Sequence, residues 1–311
     1  MTRLYSHKVL LNFFNLLFLF CGIILVSSGL YLFNDPKRIL LSRLLAATSE
    51  QLNNLPQPLF YYISIGLTVV GLLVVIAALV GFWASCLDTY YCLGFYFLAV
   101  VILFLTESMI CLAIILWPHC LGITLDESKM VKILQGFYGV PGKEQLTNAI
   151  DLAQASFGCC GMNSVINYDT SLWKLQRYGQ REWVVPLTCC ILMNNNDILY
   201  YLDPKPVNET QCQMLQETEF SEYRHSIPCL KYLDNWYREQ YLVFLSASLI
   251  LAIVQICVLL SIIVNCSNVP SKKVEEKKMS ELRKPPTETH HTLVKNIYEQ
   301  DLALQSLRKY R

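Results

Sequence analysis

The sequence predicts an all-α membrane protein: a four-transmembrane-helix bundle with a disulfide-stapled, mainly helical large extracellular loop. Three observations carry this. Four apolar windows, residues 9–33, 59–83, 91–117 and 241–264, reach the length of about 20 residues needed to cross the hydrocarbon core. Hydrophobic residues make up 54% of the 311 and charged residues 16%, where a soluble domain carries about a quarter charged. Six cysteines, Cys159, Cys160, Cys189, Cys190, Cys212 and Cys229, lie together in the polar segment between the third and fourth windows. Two vicinal pairs and two singles form the even set that a disulfide framework requires. Adjacent cysteines bridge poorly to each other, so each pair should send bridges in two directions.

Each window is apolar but for a few residues. Asn12 and Asn15 interrupt the first, Glu107 the third and Gln255 the fourth. Basic residues set the orientation. Arg3 and Lys8 precede the first window, and Lys272, Lys273, Lys277 and Lys278 follow the fourth. Both termini are therefore expected in the cytoplasm. That places 1–8 inside, a small extracellular loop at 34–58, a short cytoplasmic loop at 84–90, the large extracellular loop at 118–240 and a cytoplasmic tail at 265–311. The charges segregate accordingly: 118–240 holds 10 Lys/Arg against 14 Asp/Glu, and the chain after 267 holds 10 against 6. Overall net charge is +1, which offers no basic surface for nucleic acid.

Within the large loop, 125–138 carries Met130, Leu134 and Phe137 on one face. Residues 143–157 carry Leu146, Ile150, Ala153 and Phe157 at helical spacing. Pro141-Gly142 separates the two predicted helices, and Gly158 follows the second, where a C-terminus favours a residue able to take positive φ. Residues 229–238, with Leu230, Leu233, Trp236 and Tyr237, should run straight into the fourth span. Between 161 and 229 lies an irregular head rich in Pro and Asn. Six cysteines allow 15 pairings.

Four spans, a small and a large outer loop, Cys159-Cys160-Gly161, Pro186-Leu187-Thr188-Cys189-Cys190 and a late Cys229 together resemble the tetraspanin family. The likeness covers everything but the tail. The small loop holds no cysteine, unlike that of claudins and connexins. The resemblance implies the pairings Cys159–Cys229, Cys160–Cys189 and Cys190–Cys212. It matches Asn15, Glu107 and Gln255 to the family's intramembrane polar residues, which should face the bundle interior because a lone polar group in hydrocarbon is costly. They are expected to hold the helices together by hydrogen bonds. The sharper alternative is a cavity that takes a sterol or other lipid. The chain departs from the family at Gly81-Phe82-Trp83-Ala84-Ser85, where members carry paired cysteines, at Asp88, and at Pro228, where a glycine is usual.

Other sites follow from position. Asn208-Glu209-Thr210 is a glycosylation sequon on the outer side, whereas Asn265-Cys266-Ser267 falls on the inner side and should stay bare. Cys86, Cys92 and Cys266 lie near the inner face, where acylation is expected. Cys21, Cys111 and Cys257 read as packing residues. Cys120 is an unpaired outer cysteine, a membrane-shielded thiol or a bridge between protomers. The tail is expected to be disordered, with Leu293, Ile297, Leu304 and Leu307 forming a loose helical face. No catalytic constellation, phosphate loop or metal spacing is present.

The resemblance, with no catalytic set in the sequence, implies a non-enzymatic, multi-pass scaffold of the plasma or endosomal membrane. It is expected to organise partner membrane proteins laterally, with the 161–229 head as recognition surface and with homo- or hetero-oligomers with other tetraspanins and lipid among its contacts. Two alternatives are a small-molecule or proton transporter using Glu107, and a self-assembling structural protein of the photoreceptor-rim type.

Overall fold

The computed structural model describes residues 2–48, 55–87, 90–116, 125–282 and 295, and their side chains except those of 2–7, 87, 90, 114 and 268–282. Ten α-helices occur among them: α1 (Thr2–Phe33), α2 (Pro36–Ala47), α3 (Leu59–Leu87), α4 (Tyr90–Leu116), α5 (Glu127–Phe137), α6 (Glu144–Phe157), α7 (Leu172–Leu175), α8 (Glu209–Cys212), α9 (Glu217–Phe220) and α10 (Leu230–Leu282). Helices α1, α3, α4 and part of α10 are long and apolar enough to cross a membrane. They show apolar side chains on both the inner and outer faces of the bundle. Phe18, Val74, Ala78, Val100 and Val258 are sealed inside, while Phe13, Leu72, Leu98 and Ile253 face outward. Helices apolar all round suit a lipid environment.

Helix α1 runs along α3 as the most intimate pair, and α10 packs on α1 and α4. Glycines set that intimacy. A Cβ on Gly29 would lie 2.4 Å from Thr68 Oγ1, and one on Gly71 would lie 2.7 Å from the Val26 backbone nitrogen. A Cβ on Gly22 or Gly81 would likewise meet a neighbouring helix within 3 Å, whereas one on Gly66 would meet open space.

The second core lies beyond the ends of the spans, in the connections between α1 and α3 and between α4 and α10. Met130 and Leu134 of α5, Ile150 and Ala153 of α6, and Leu233 and Tyr237 of α10 are buried together with all six head cysteines. The helical stripes place these residues, with one correction. Phe137 is exposed, and the buried aromatic is its neighbour Tyr138, 4% exposed. Phe137 instead lies under Lys143, whose Nζ is 5.5 Å from the ring centroid.

Two elements were not expected. The small loop carries a helix, α2, started by Asp35, whose side chain accepts from the Arg38 backbone N–H, and by Pro36 at its first position. Its Leu41, Leu44 and Leu45 enter the large-loop core. The expected disorder of 265–311 is also corrected in part. Residues 265–282 extend α10 through Pro270, which donates no backbone hydrogen bond, into a run of good helix formers such as Lys, Glu and Met. Leu293, Ile297, Leu304 and Leu307 lie outside the described residues, as do Cys120 and Asp88.

Candidate functional site

The head is assembled from short turns. After α6, Gly158 takes φ 61° and ends the helix in left-handed geometry. Cys159 and Cys160 follow, and Gly161 takes φ 71°. A 3-10 turn, Val165–Tyr168, opens with Ser164 as cap. Asn167 binds the turn from inside, its Oδ1 accepting from the backbone N–H groups of Met162, Asn163 and Ser164. Three disulfides join these pieces: Cys159–Cys229 ties the end of α6 to the start of α10, Cys160–Cys189 ties it to the 3-10 turn Leu187–Cys189, and Cys190–Cys212 reaches α8. The segment after Cys190 pairs on both sides. Ile191 donates to the Tyr223 carbonyl at 2.9 Å and accepts from the Val207 N–H at 2.8 Å.

A polar network fills the space between α5, α6 and the Cys189-Cys190 turn. Tyr138 donates to Asp151 Oδ1 at 2.7 Å, and Thr188 Oγ1 lies 2.8 Å from that same oxygen. Thr188 Oγ1 is also 2.8 Å from Gln154 Oε1, and the Gln154 amide reaches the Tyr168 hydroxyl. Tyr138, Tyr168 and Trp173 pack edge to face around it. Burial pushes the Asp151 carboxyl up to about 6 and holds the Tyr138 and Tyr168 phenols well above their usual range. Burial likewise lowers His225, which lies against Gly158.

Arg224 is buried, its guanidinium 3.3 Å from the Phe220 ring centroid, with Nε and Nη1 unpaired. Asn208 caps α8, its Oδ1 accepting from the Gln211 N–H at 3.1 Å. Around this framework the head exposes large apolar side chains: Leu215 is 81% exposed, Ile198 74% and Met193 64%.

Inside the bundle, the three predicted polar residues do not form one cluster. Asn15 Oδ1 accepts from Tyr96 at 2.6 Å. Glu107 accepts instead from Ser248 at 2.8 Å, and Ser248 also meets Cys111 Sγ at 2.8 Å. Eleven residues separate Tyr96 from Glu107 along α4, about 16 Å at 1.5 Å per residue. Gln255, 1% exposed, neighbours the Glu107 carboxyl. The geometry follows from the antiparallel run of α4 and α10: each side chain tilts toward its own helix N-terminus, so Glu107 and Gln255 lean toward each other. Asn15 Nδ2, Glu107 Oε2 and Gln255 Oε1 remain buried without a hydrogen-bond partner.

Tyr96, Ser248 and Thr188 went unread in the sequence. A tyrosine or serine within an apolar run carries no signal until a partner is placed beside it. Cys86 is exposed and Cys92 and Cys266 half-buried at the same end of the bundle. No group of three His, Cys, Asp or Glu side chains suited to a metal occurs among the described residues.

A fold of this kind, four spans with a disulfide-built loop over a small-loop helix, defines a class of integral membrane proteins. A family model described as the Tetraspanin family matches residues 7–268. The chain belongs to the tetraspanin family. It is 31% identical to human Tetraspanin-11 over 120 residues, 39% of this chain and 47% of that protein. It is 27% identical to the CD151 antigen of Chlorocebus aethiops over 183 residues, 59% and 67% of the two chains. Tetraspanin-17 of Caenorhabditis elegans is 26% identical over 121 residues, 36% and 37%. The matched region thus spans about half the length of Tetraspanin-11 and two thirds of CD151. Membership makes the chain an integral membrane protein.

Proposed function

We propose that this tetraspanin organises partner membrane proteins laterally and recognises them through the 161–229 head of its large loop. One observation carries the reading: Leu215, Ile198 and Met193 stand exposed on a framework held by three disulfides. Exposed apolar side chains on a rigid support bind at low ordering cost. Affinity capture in mild detergent tests it. Ile198→Glu and Leu215→Glu should lose direct partners while leaving thermal unfolding unchanged. A partner set identical to that of the wild type overturns the assignment.

Under this reading the large loop is extracellular, both termini are cytoplasmic, and the protein resides in the plasma or endosomal membrane. Asn208 carries an N-glycan: its Oδ1 is spent on the helix cap while the sequon residues Glu209 and Thr210 are exposed. Cys86, Cys92 and Cys266 are the acylation sites. Further contacts are homo- or hetero-oligomers with other tetraspanins. The unpaired atoms of Glu107 and Gln255 supply the polar end of a site for a sterol or another hydroxyl-bearing lipid. They also keep a transporter reading testable, since a proton carrier using Glu107 would fail on Glu107→Gln.

A further inference from the structure

In the network of the large loop, where Gln154, Thr188 and Tyr168 are buried and Asp151 is half-buried, the protons do not balance with Asp151 ionised and the Gln154 oxygen facing Thr188. Thr188 has one hydroxyl proton. Its oxygen lies 2.8 Å from Asp151 Oδ1 and 2.8 Å from Gln154 Oε1. Both are acceptors when Asp151 is ionised, so one of the two contacts would have no hydrogen in it. Two arrangements resolve this. In the first, Asp151 carries a proton and donates to Thr188. Thr188 then donates to Gln154 Oε1, and the Gln154 amide N–H donates to Tyr168. In the second, Asp151 is a carboxylate and the Gln154 amide is turned over, an exchange of O and N that leaves heavy-atom positions nearly unchanged. Tyr168 then donates to Gln154 Oε1, the amide N–H donates to Thr188, and Thr188 donates to Asp151. Tyr138 donates to Asp151 in both.

We propose that the Asp151–Thr188–Gln154–Tyr168 chain is a proton-linked switch: one proton on Asp151 reverses every hydrogen bond in the chain and couples the packing of the head to the pH of its compartment. The chain joins three parts of the loop. Asp151 and Gln154 are on α6, Tyr168 ends the 3-10 turn after Gly161, and Thr188 immediately precedes the Cys189-Cys190 pair. A change of direction is therefore felt in each.

The groups facing Asp151 are Tyr138 at the end of α5, Tyr168 on the 3-10 turn and the Thr188 hydroxyl, with no cation acting on it among the described residues. Burial alone raises the carboxyl, from 3.8 to about 6. The folded loop thus holds a proton more firmly than the unfolded chain does. Its contribution to stability is fullest below pH 3.8 and is lost as pH rises toward 6. The other titrating group in this core, His225, is lowered by burial and acts in the opposite sense, losing stability as pH falls below its ordinary 6.5.

Hydrogen exchange of the full chain in detergent, corrected for intrinsic rates, tests this at pH 5.0 and 7.4. The comparison uses wild type, Asp151→Asn, His225→Gln and the double variant. The acid-to-neutral ratio of protection in segments 145–155, 165–169 and 186–192 should be about tenfold larger with Asp151 present than in Asp151→Asn, in either His225 background. A ratio unchanged within about twofold overturns the proposal. Thr188→Val provides a second reading should Asp151→Asn fold poorly. It leaves Asp151 titrating but cuts the chain, so segment 145–155 should still respond to pH while 165–169 no longer does. A response persisting at 165–169 overturns the relay.

Discussion

Gly161 shows why the residue after the vicinal cysteines is a glycine. Its φ of 71° lies in the left-handed region, and a Cβ there would stand 2.1 Å from the Ser164 carbonyl oxygen. Gly161→Ala meets both a backbone penalty and a clash with backbone that cannot move aside. We expect it to cost about 2–4 kcal/mol, read as a lowered unfolding temperature of the purified protein. Glu107 makes a contrasting case, a polar group whose partner decides its value. Glu107→Leu leaves Ser248 without its acceptor and should cost about 0.6–2 kcal/mol of bundle stability. Glu107→Gln keeps an acceptor and should fall well below that in the same thermal assay. Loss of function in Glu107→Gln with surface expression and partner capture intact would favour transport over scaffolding.

At the scale of elements, α2 is the part of the small loop that couples the bundle to the large loop. Leu44 is wholly buried, Tyr237 of α10 donates to the Leu41 carbonyl, and Lys37 Nζ lies 4.8 Å from the Tyr200 ring centroid. Leu44→Ala removes packing that nothing else fills, and should cost about 2–4 kcal/mol in thermal unfolding. Leu40→Ala, on a half-buried position of the same helix, should cost clearly less. The disulfides differ by the loops they close. Cys159–Cys229 spans 70 residues and Cys190–Cys212 spans 22, which chain entropy ranks at about 4 against about 3 kcal/mol. Paired changes test the connectivity. Cys160→Ser with Cys189→Ser should be no worse than either alone, whereas Cys160→Ser with Cys229→Ser breaks two bridges and should be markedly worse in non-reducing mobility and export.

For the whole molecule, the proposed orientation has a direct test. Two sequons test it, because Asn208 precedes the apolar window 241–264 and Asn265 follows it. Asn208→Gln should remove all N-glycan mass from protein expressed in a secretory host, and Asn265→Gln should remove none. Glycan surviving Asn208→Gln would reverse the proposed orientation or add a second site. The two cores also respond to different conditions. The bundle interior is held mainly by apolar packing, while the head is held by bridges, so reductant should loosen the head and leave the four spans assembled.

The amino-acid sequence alone determined the four spans, the helical stripes of α5 and α6 and the cysteine count. Each rests on a local property, an apolar run, a 3.6-residue period or a parity, that needs no knowledge of neighbours. The α2 helix was legible too, in Asp35-Pro36 and the spacing of Leu40, Leu41, Leu44 and Leu45, had the small loop been read as part of a core. Pairings were different in kind. Which cysteine meets which, that Asn15 meets Tyr96, that Glu107 meets Ser248 and that Asp151, Thr188, Gln154 and Tyr168 form one chain are matters of tertiary structure. A polar side chain's energy depends on the atom placed opposite it, and that atom comes from 14 to 141 residues away.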